Sequence, residues 1–399
     1  MRGPIIRPVS HTPDPVSDPF VTRANPRALS TEQGPLSGES LAVKDNIDAA
    51  GLPTNAGNPH FGSRHGCAAR TAPALATLQH AGATLVGKTI MDEFAYGADG
   101  VNAHYGTPLN PRAPSHTCGG SSCGSASAVA AGLASIGVGT DTGGSTRIPP
   151  AATGLFGLRP THGRVSATGV VPLAPSFDTI GWMTRDADTL ARVSAVLLPA
   201  LAAKTKPLAC LAPFFAAADS DIATVAVAAA RRLGAQESRA LPCTSAELFE
   251  LYVGLTRAEI RSAFAWLRTN PVPLGDPVER RFAAAFADGG RDLSPLIARR
   301  EELRQALAAL LKNHWLVFPT LATRTPLVDA DLSARDQARA RILPLTVLAP
   351  LVGAPEITLP VGSVGLGAHA FTVGLSVLGA ADDDLALCQL AQQWAQANC

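Results

Sequence analysis

The chain has 399 residues, a formal net charge of +1 at pH 7, 46% hydrophobic residues and 16% charged ones. That balance describes an ordered globular protein with ample length for a large core, and it excludes an intrinsically disordered chain. The near-zero charge gives no electrostatic basis for a nucleic-acid partner or an anionic membrane surface.

Residues 1–38 are rich in Pro, Ser and Thr and predict an extended, partly mobile arm. The opening Met1-Arg2-Gly3-Pro4-Ile5-Ile6-Arg7-Pro8 has no apolar signal core, and the internal apolar runs are too short to cross a bilayer. The seven cysteines (Cys67, Cys118, Cys123, Cys210, Cys243, Cys388 and Cys399) show no CxxC pair and no Cys/His ligand spacing. Structural zinc is therefore not expected, and a reducing, cytoplasmic location without membrane contact is. Leu41-Ala42-Val43-Lys44 reads as a strand closed by Asp45-Asn46. Apolar residues recur at helical spacing over 71–80 with a stop near Gly82, and Thr84-Leu85-Val86-Gly87 reads as the next strand. This strand–helix–strand alternation predicts a sheet flanked by helices.

Two glycine-serine clusters follow. The first is Thr117-Cys118-Gly119-Gly120-Ser121-Ser122-Cys123-Gly124-Ser125; the second is Gly139-Thr140-Asp141-Thr142-Gly143-Gly144-Ser145-Thr146-Arg147. A backbone this poor in side chains admits a substrate closely and leaves N–H groups free to converge on one atom. Serines beside such a tract suit a nucleophile that needs an oxyanion hole. A flexible linker is the competing reading, but the clusters flank the apolar stretch 126–138 and contain the charged Asp141 and Arg147. Further on, 211–311 changes texture: 222–233, 245–267, 278–287 and 296–311 all carry helical patterns with charged faces.

These pieces, in this order, resemble the amidase signature hydrolases. The family hallmark is a Gly-Gly-Ser-Ser-Gly-Gly cluster, then Gly-Thr-Asp-x-Gly-Gly-Ser-x-Arg and a Gly-Leu-Lys/Arg-Pro-Thr end. Here they are Gly119 to Gly124, Gly139 to Arg147, and Gly157-Leu158-Arg159-Pro160-Thr161. Val43-Lys44-Asp45-Asn46 resembles the family's lysine motif, and Gly87-Lys88-Thr89-Ile90-Met91-Asp92-Glu93-Phe94, Asn110-Pro111, Phe318-Pro319-Thr320 and the stretch from Gly353 to Gly362 also fit. One departure is Cys123, where the family has glycine. The resemblance covers roughly 40–185 and 312–395. It implies an α/β amidase signature fold, a large mixed β-sheet core covered on both faces by α-helices, in a single amidase domain spanning 1–399 with 211–311 as its variable helical segment. Phe177-Asp178-Thr179-Ile180-Gly181-Trp182, Glu259-Ile260-Arg261, Trp266 and Glu279-Arg280 are similar, more weakly, to the plant-type indole-3-acetamide hydrolases of the family.

An amide needs a nucleophile, a base and an acid for the departing amine. Ser145 is the candidate nucleophile, with the backbone N–H groups of Thr142, Gly143 and Gly144 as its oxyanion hole; a helix N-cap is the structural alternative for this serine. Lys44 is the candidate base, since burial among Leu41, Ala42, Val43 and Ile47 would lower its pKa; the alternative is a lysine reaching solvent from an edge strand. Asp45, next in sequence, points to the opposite face of a strand and need not pair with it. By the resemblance, Ser121 relays the proton between Lys44 and Ser145, and the Gly120-Ser121 peptide is cis. Ser122 is a supporting hydrogen-bonding residue, and Asp141 and Arg147 pair to fix the nucleophile loop. Gly120-Ser121-Ser122-Cys123-Gly124 also fits a G-x-S-x-G elbow, which would make Ser122 the nucleophile with a histidine such as His162 or His369. The loop from Gly137 lacks the Gly-Lys-Ser/Thr end of a phosphate loop. Cys123 reads as a small apolar residue before it reads as a reactive thiol.

The function expected is an amidase that releases acid and ammonia from a small-molecule amide, with no metal and no cofactor. Two alternatives stand beside it: the amidase subunit of a glutamine-dependent tRNA amidotransferase, and a non-catalytic amidase-like binding module. A homodimer is compatible with all three. If the likeness to indole-3-acetamide hydrolases reaches the pocket, aryl acetamides are the expected substrates, with Phe94, Tyr96, Tyr105, Phe177 and Trp182 the aromatic residues nearest the motifs.

Overall fold

The computed structural model describes residues 18–24, 33–200, 205–367 and 370–398. Its strands are β1 (Phe20–Arg23), β2 (Ser40–Lys44), β3 (Thr84–Thr89), β4 (Ile136–Asp141), β5 (Phe156–Arg159), β6 (Thr179–Thr184), β7 (Leu208–Leu211), β8 (Glu237–Arg239), β9 (Trp315–Pro319), β10 (Glu356–Val364) and β11 (Phe371–Leu378). They form one eleven-stranded sheet in the order β1-β3-β2-β4-β6-β5-β10-β11-β9-β7-β8. The sheet is mixed. β2 runs parallel to β3 and β4, and β7 runs parallel to β8 and β9. The other pairs are antiparallel.

The central strands are near-continuous runs of buried residues, as a sheet covered on both faces requires. Neighbouring residues of β6 show the two coverings, because their side chains point to opposite faces. Trp182 donates its indole N–H to Ser194 of the helix Ala187–Leu197 at 3.0 Å. Met183 packs with Ala126 and Val129 of the helix Cys123–Ala130. Because β2 and β4 are parallel and in register at Val43 and Val138, their C-terminal ends, Lys44 and Asp141, emerge at the same edge of the sheet. Clefts outside the C-terminal ends of strands are where α/β sheets place their sites.

Within the stretch expected as an extended arm, Phe20–Arg23 is an edge strand antiparallel to β3, while 1–17 and 25–32 lie outside the described residues. The segment 211–311 forms the helices Ala212–Ala217, Ser220–Arg232, Ser245–Ala263, Asp276–Ala287 and Ser294–Leu311. The helical expectation over 245–267 ends at Ala263, and Ala265–Arg268 follows as a 3-10 turn. The long helix starts where Thr244 and Glu247 build a reciprocal capping box. Among the described residues no helix is long and apolar enough to cross a membrane.

Candidate active site

Lys44 ends β2 and is fully buried. Its Nζ lies 2.8 Å from Ser121 Oγ, 2.8 Å from Thr140 Oγ1 and 3.2 Å from the Thr140 carbonyl. Burial lowers its pKa to about 8, against the opposing pull of Asp92, Cys123, Asp141 and Asp178. Asp45 faces away, as strand alternation requires, and sits 3.4 Å from the equally buried Lys88. Nothing therefore pins Lys44 in its charged form through a direct carboxylate contact.

Ser121 continues the chain of contacts. Its Oγ donates to Ser145 Oγ at 2.9 Å, so the three side chains form one hydrogen-bonded line, Lys44 to Ser121 to Ser145. The Gly120–Ser121 peptide is cis. Ser121 and Ser122 immediately precede the helix Cys123–Ala130, which packs on β2 and β4 and fixes both serines against the sheet. Ser122 is not on the line to Ser145: its hydroxyl is fully buried and donates to the Thr140 carbonyl at 3.4 Å. Of the two histidines considered for the G-x-S-x-G reading, His162 has its pKa lowered to about 4 by burial and neighbouring arginines, and His369 lies outside the described residues. Cys123 is the first helical residue and is fully buried, its thiol pKa pushed up by burial. It packs with Ile90 and Cys118, and no positive φ demands glycine at its position.

The loop after β4 carries Ser145. Asp141 holds it from within. One carboxylate oxygen accepts from the Gly144 amide at 3.0 Å, Arg147 Nη2 at 2.8 Å and Arg159 Nη1 at 2.8 Å. The other accepts from the Thr146 amide at 2.9 Å and Arg147 Nε at 3.1 Å. Burial alone would raise the Asp141 pKa, but the Arg147 and Arg159 guanidiniums outweigh it and hold the carboxyl well below the usual range. Arg147 also reaches Glu356 of β10 at 2.8 Å and the Thr346 carbonyl at 2.6 Å. Ser145 is no helix cap, because Arg147 takes the N-cap position of the helix Ile148–Thr153.

One expectation about the oxyanion hole is corrected. Gly144 offers no free amide, since its N–H is taken by Asp141. The amides of Thr142 and Gly143 have no acceptor among the described residues. Both glycines are needed for shape. Gly144 has φ of 136°, and a Cβ there would meet Thr346 at 2.7 Å; a Cβ on Gly143 would meet the Tyr252 hydroxyl at 2.5 Å. Thr142 is steadied by Asp178, whose carboxylate accepts its hydroxyl at 2.6 Å and the amides of Leu173 and Ala174. Thr140, Arg159, Asp178 and Glu356 had no assigned role from sequence, although all four stand in motifs already noted.

Ser145, Thr142 and Gly143 line a cavity of about 330 Å³ whose far wall comes from the helices Ser245–Ala263, Asp276–Ala287 and Leu332–Thr346. Of the five aromatic residues nearest the motifs, only Tyr96 lines it. Phe94 and Trp182 are core, Phe177 packs edge-to-face on Tyr252, and Tyr105 faces a neighbouring cavity. The other rings in the wall are Phe249 and Tyr252, from the helical segment. Among the described residues no three His, Cys, Asp or Glu side chains gather as a metal-binding group.

Residues 22–240 match the Amidase family. Amidase 1 of Oryza sativa subsp. japonica is 38% identical over 370 residues, covering 83% of this chain and 85% of that protein. Amidase 1 of Arabidopsis thaliana is 34% identical over 386 residues, covering 86% and 90%. A crystal structure of an amidase superposes with a TM-score of 0.80 at 30% identity, covering 92% of this chain and 85% of that one. The mixed sheet with helices on both faces and these matches define a hydrolase that acts on amide carbon–nitrogen bonds. The chain belongs to the amidase signature family.

Proposed function

We propose that this amidase works through an acyl-enzyme on Ser145, with Ser121 as relay and Lys44 as base. The observation that carries the reading is the buried line from Lys44 Nζ through Ser121 Oγ to Ser145 Oγ, at 2.8 and 2.9 Å, ending at the cavity. A protonated amine has three N–H donors, matching its three oxygen neighbours. A neutral amine keeps two donors for Thr140 and turns its lone pair to Ser121. In that state Ser121 passes its proton to Lys44 and takes the proton of Ser145, whose oxygen attacks the amide carbon. The Thr142 and Gly143 amides stabilise the oxyanion, each such donor being worth about 2.7–4 kcal/mol in other hydrolases. The relay then reverses to protonate the departing nitrogen, which leaves as ammonia, and water repeats the sequence on the ester to release the acid.

The single sheet built from residue 20 to residue 378 supports one amidase domain with 211–311 as its variable part. Six free cysteines among the described residues support a reducing, cytoplasmic setting, which recovery of the protein from an envelope membrane on fractionation would overturn. The decisive test is ammonia release from simple amides by the purified chain, without partner or tRNA. Ser145→Ala is expected to abolish it with the fold intact, and Ser122→Ala to reduce it far less; the reverse ranking would sink the assignment.

A further inference from the structure

The cavity beside Ser145 is lined by four arginines: Arg257, Arg280, Arg281 and Arg339. Among the described residues that line it, Asp336 is the sole carboxylate. Arg281 is already engaged, by Asp99 at 3.1 Å, the Tyr96 carbonyl at 2.8 Å and, at 3.6 Å, by Asp336. Arg257, Arg280 and Arg339 form no ion pair among the described residues. Arg339 is the most demanding of them. Its Nε is buried without a hydrogen-bond partner, and its guanidinium lies 5.9 Å from the ring centre of Phe249. The residue is half-buried, and a guanidinium with a buried, unpartnered Nε and no anion beside it is a costly arrangement unless a ligand supplies one. The lining also includes the apolar side chains of Ile148, Leu173, Val253 and Leu343.

We propose that the physiological substrate is an amide whose acyl part carries a carboxylate, held by Arg339 together with Arg257 while its carbonyl lies at Ser145. The proposal rests on Ser145 being the nucleophile. A planar guanidinium binds a carboxylate through two parallel N–H donors, which fixes orientation as well as charge. The apolar side chains take the spacer between the two ends. Hydrolysis adds one water across the C–N bond: ammonia leaves as the Ser145 ester forms, and water then releases the dicarboxylate.

The test is kcat/KM for matched pairs on the purified protein: hexanamide against the monoamide of adipic acid, and phenylacetamide against its 4-carboxylate. The carboxylate member of a pair is expected to be preferred by about 10- to 100-fold, the range that hydrogen bonds to a charged group supply. Arg339→Met should lower that ratio at least about 10-fold, and Arg339→Lys, which keeps the charge but not the fork, should restore part of it. Equal turnover within both pairs, with Ser145→Ala inactive, overturns the carboxylate proposal and leaves the serine mechanism standing. Hydrolysis that survives Ser145→Ala, or no hydrolysis of any of the four amides, removes the foundation instead. An unchanged ratio in a folded Arg339→Met protein also overturns the proposal.

Discussion

Lys44 shows how a single residue sets activity against stability. Its pKa falls from 10.5 to about 8 through burial, so at pH 7 the folded protein carries a charge that the unfolded chain would solvate more easily. A shift of that size corresponds to about 3 kcal/mol. Lys44→Met removes the charge while each former neighbour keeps another partner: Ser121 has Ser145, Thr140 Oγ1 has Asn46 at 3.1 Å, and the Thr140 carbonyl has Ser122. The variant is expected to be inactive yet about 1–3 kcal/mol more stable at pH 7 by urea unfolding. The sign with pH follows from linkage. Between about pH 8 and 10.5 the unfolded chain binds the proton that the folded one has released, so the parent gains stability as pH rises and the gap closes. A gap that widens with pH, or a variant less stable at pH 7, would contradict the assignment. Activity should follow the same group in the other sense. Only neutral Lys44 is a base, so kcat/KM of the parent should climb through about pH 8, and a profile flat from pH 6 to 10 would exclude this lysine.

At the scale of elements, the loop between β4 and the helix Ile148–Thr153 is shaped by charges drawn from distant strands. Asp141 on β4, Arg159 on β5 and Glu356 on β10 converge with Arg147, all four fully buried. Asp141→Asn leaves Arg159 without its counter-charge and turns an amide N–H₂ toward donors. Removing one partner of a buried ion pair costs about 3–5 kcal/mol, and this loss should appear in urea unfolding together with a fall in kcat, because Gly144 and Thr146 lose their anchor. Glu356→Gln should cost less, since Arg147 keeps Asp141 and the Thr346 carbonyl. Equal losses in the two variants would mean that the loop is not organised around Asp141. This network also marks what the sequence could and could not disclose. β2, β3, the helix Pro73–His80 and the long helices of 211–311 were readable because their apolar spacing is local. β7 and β8, of four and three residues, are too short to show a period. Arg159 and Glu356 stood in quoted motifs, but their pairing with residues 18 and 209 positions away has no local trace. The occupied Gly144 amide was equally invisible, because a loop sequence does not say where its own carboxylate will turn.

Across the whole molecule, chemistry and selectivity come from different parts of the chain. The sheet edge at the ends of β2 and β4 supplies Lys44 and the Ser145 loop, while the helix Ser245–Ala263 supplies Phe249, Tyr252, Val253 and Arg257 as a wall over them. That helix approaches the loop tightly where the Tyr252 hydroxyl faces Gly143. Val253 is half-buried and lies on the cavity side of that helix. Val253→Trp would place a large ring inside a cavity of about 330 Å³, shortening the space for the acyl chain without adding or removing a charge. Discrimination by pocket volume is worth about 1–3 kcal/mol per methylene-sized misfit, so a whole ring should lower kcat/KM for phenylacetamide by more than about 100-fold. Acetamide needs little of that space and should keep its kcat/KM to within a few-fold. A parallel loss on both amides would show that the helix shapes the serine loop itself; a loss confined to the larger one would place substrate selection in the helical segment and catalysis at the sheet edge.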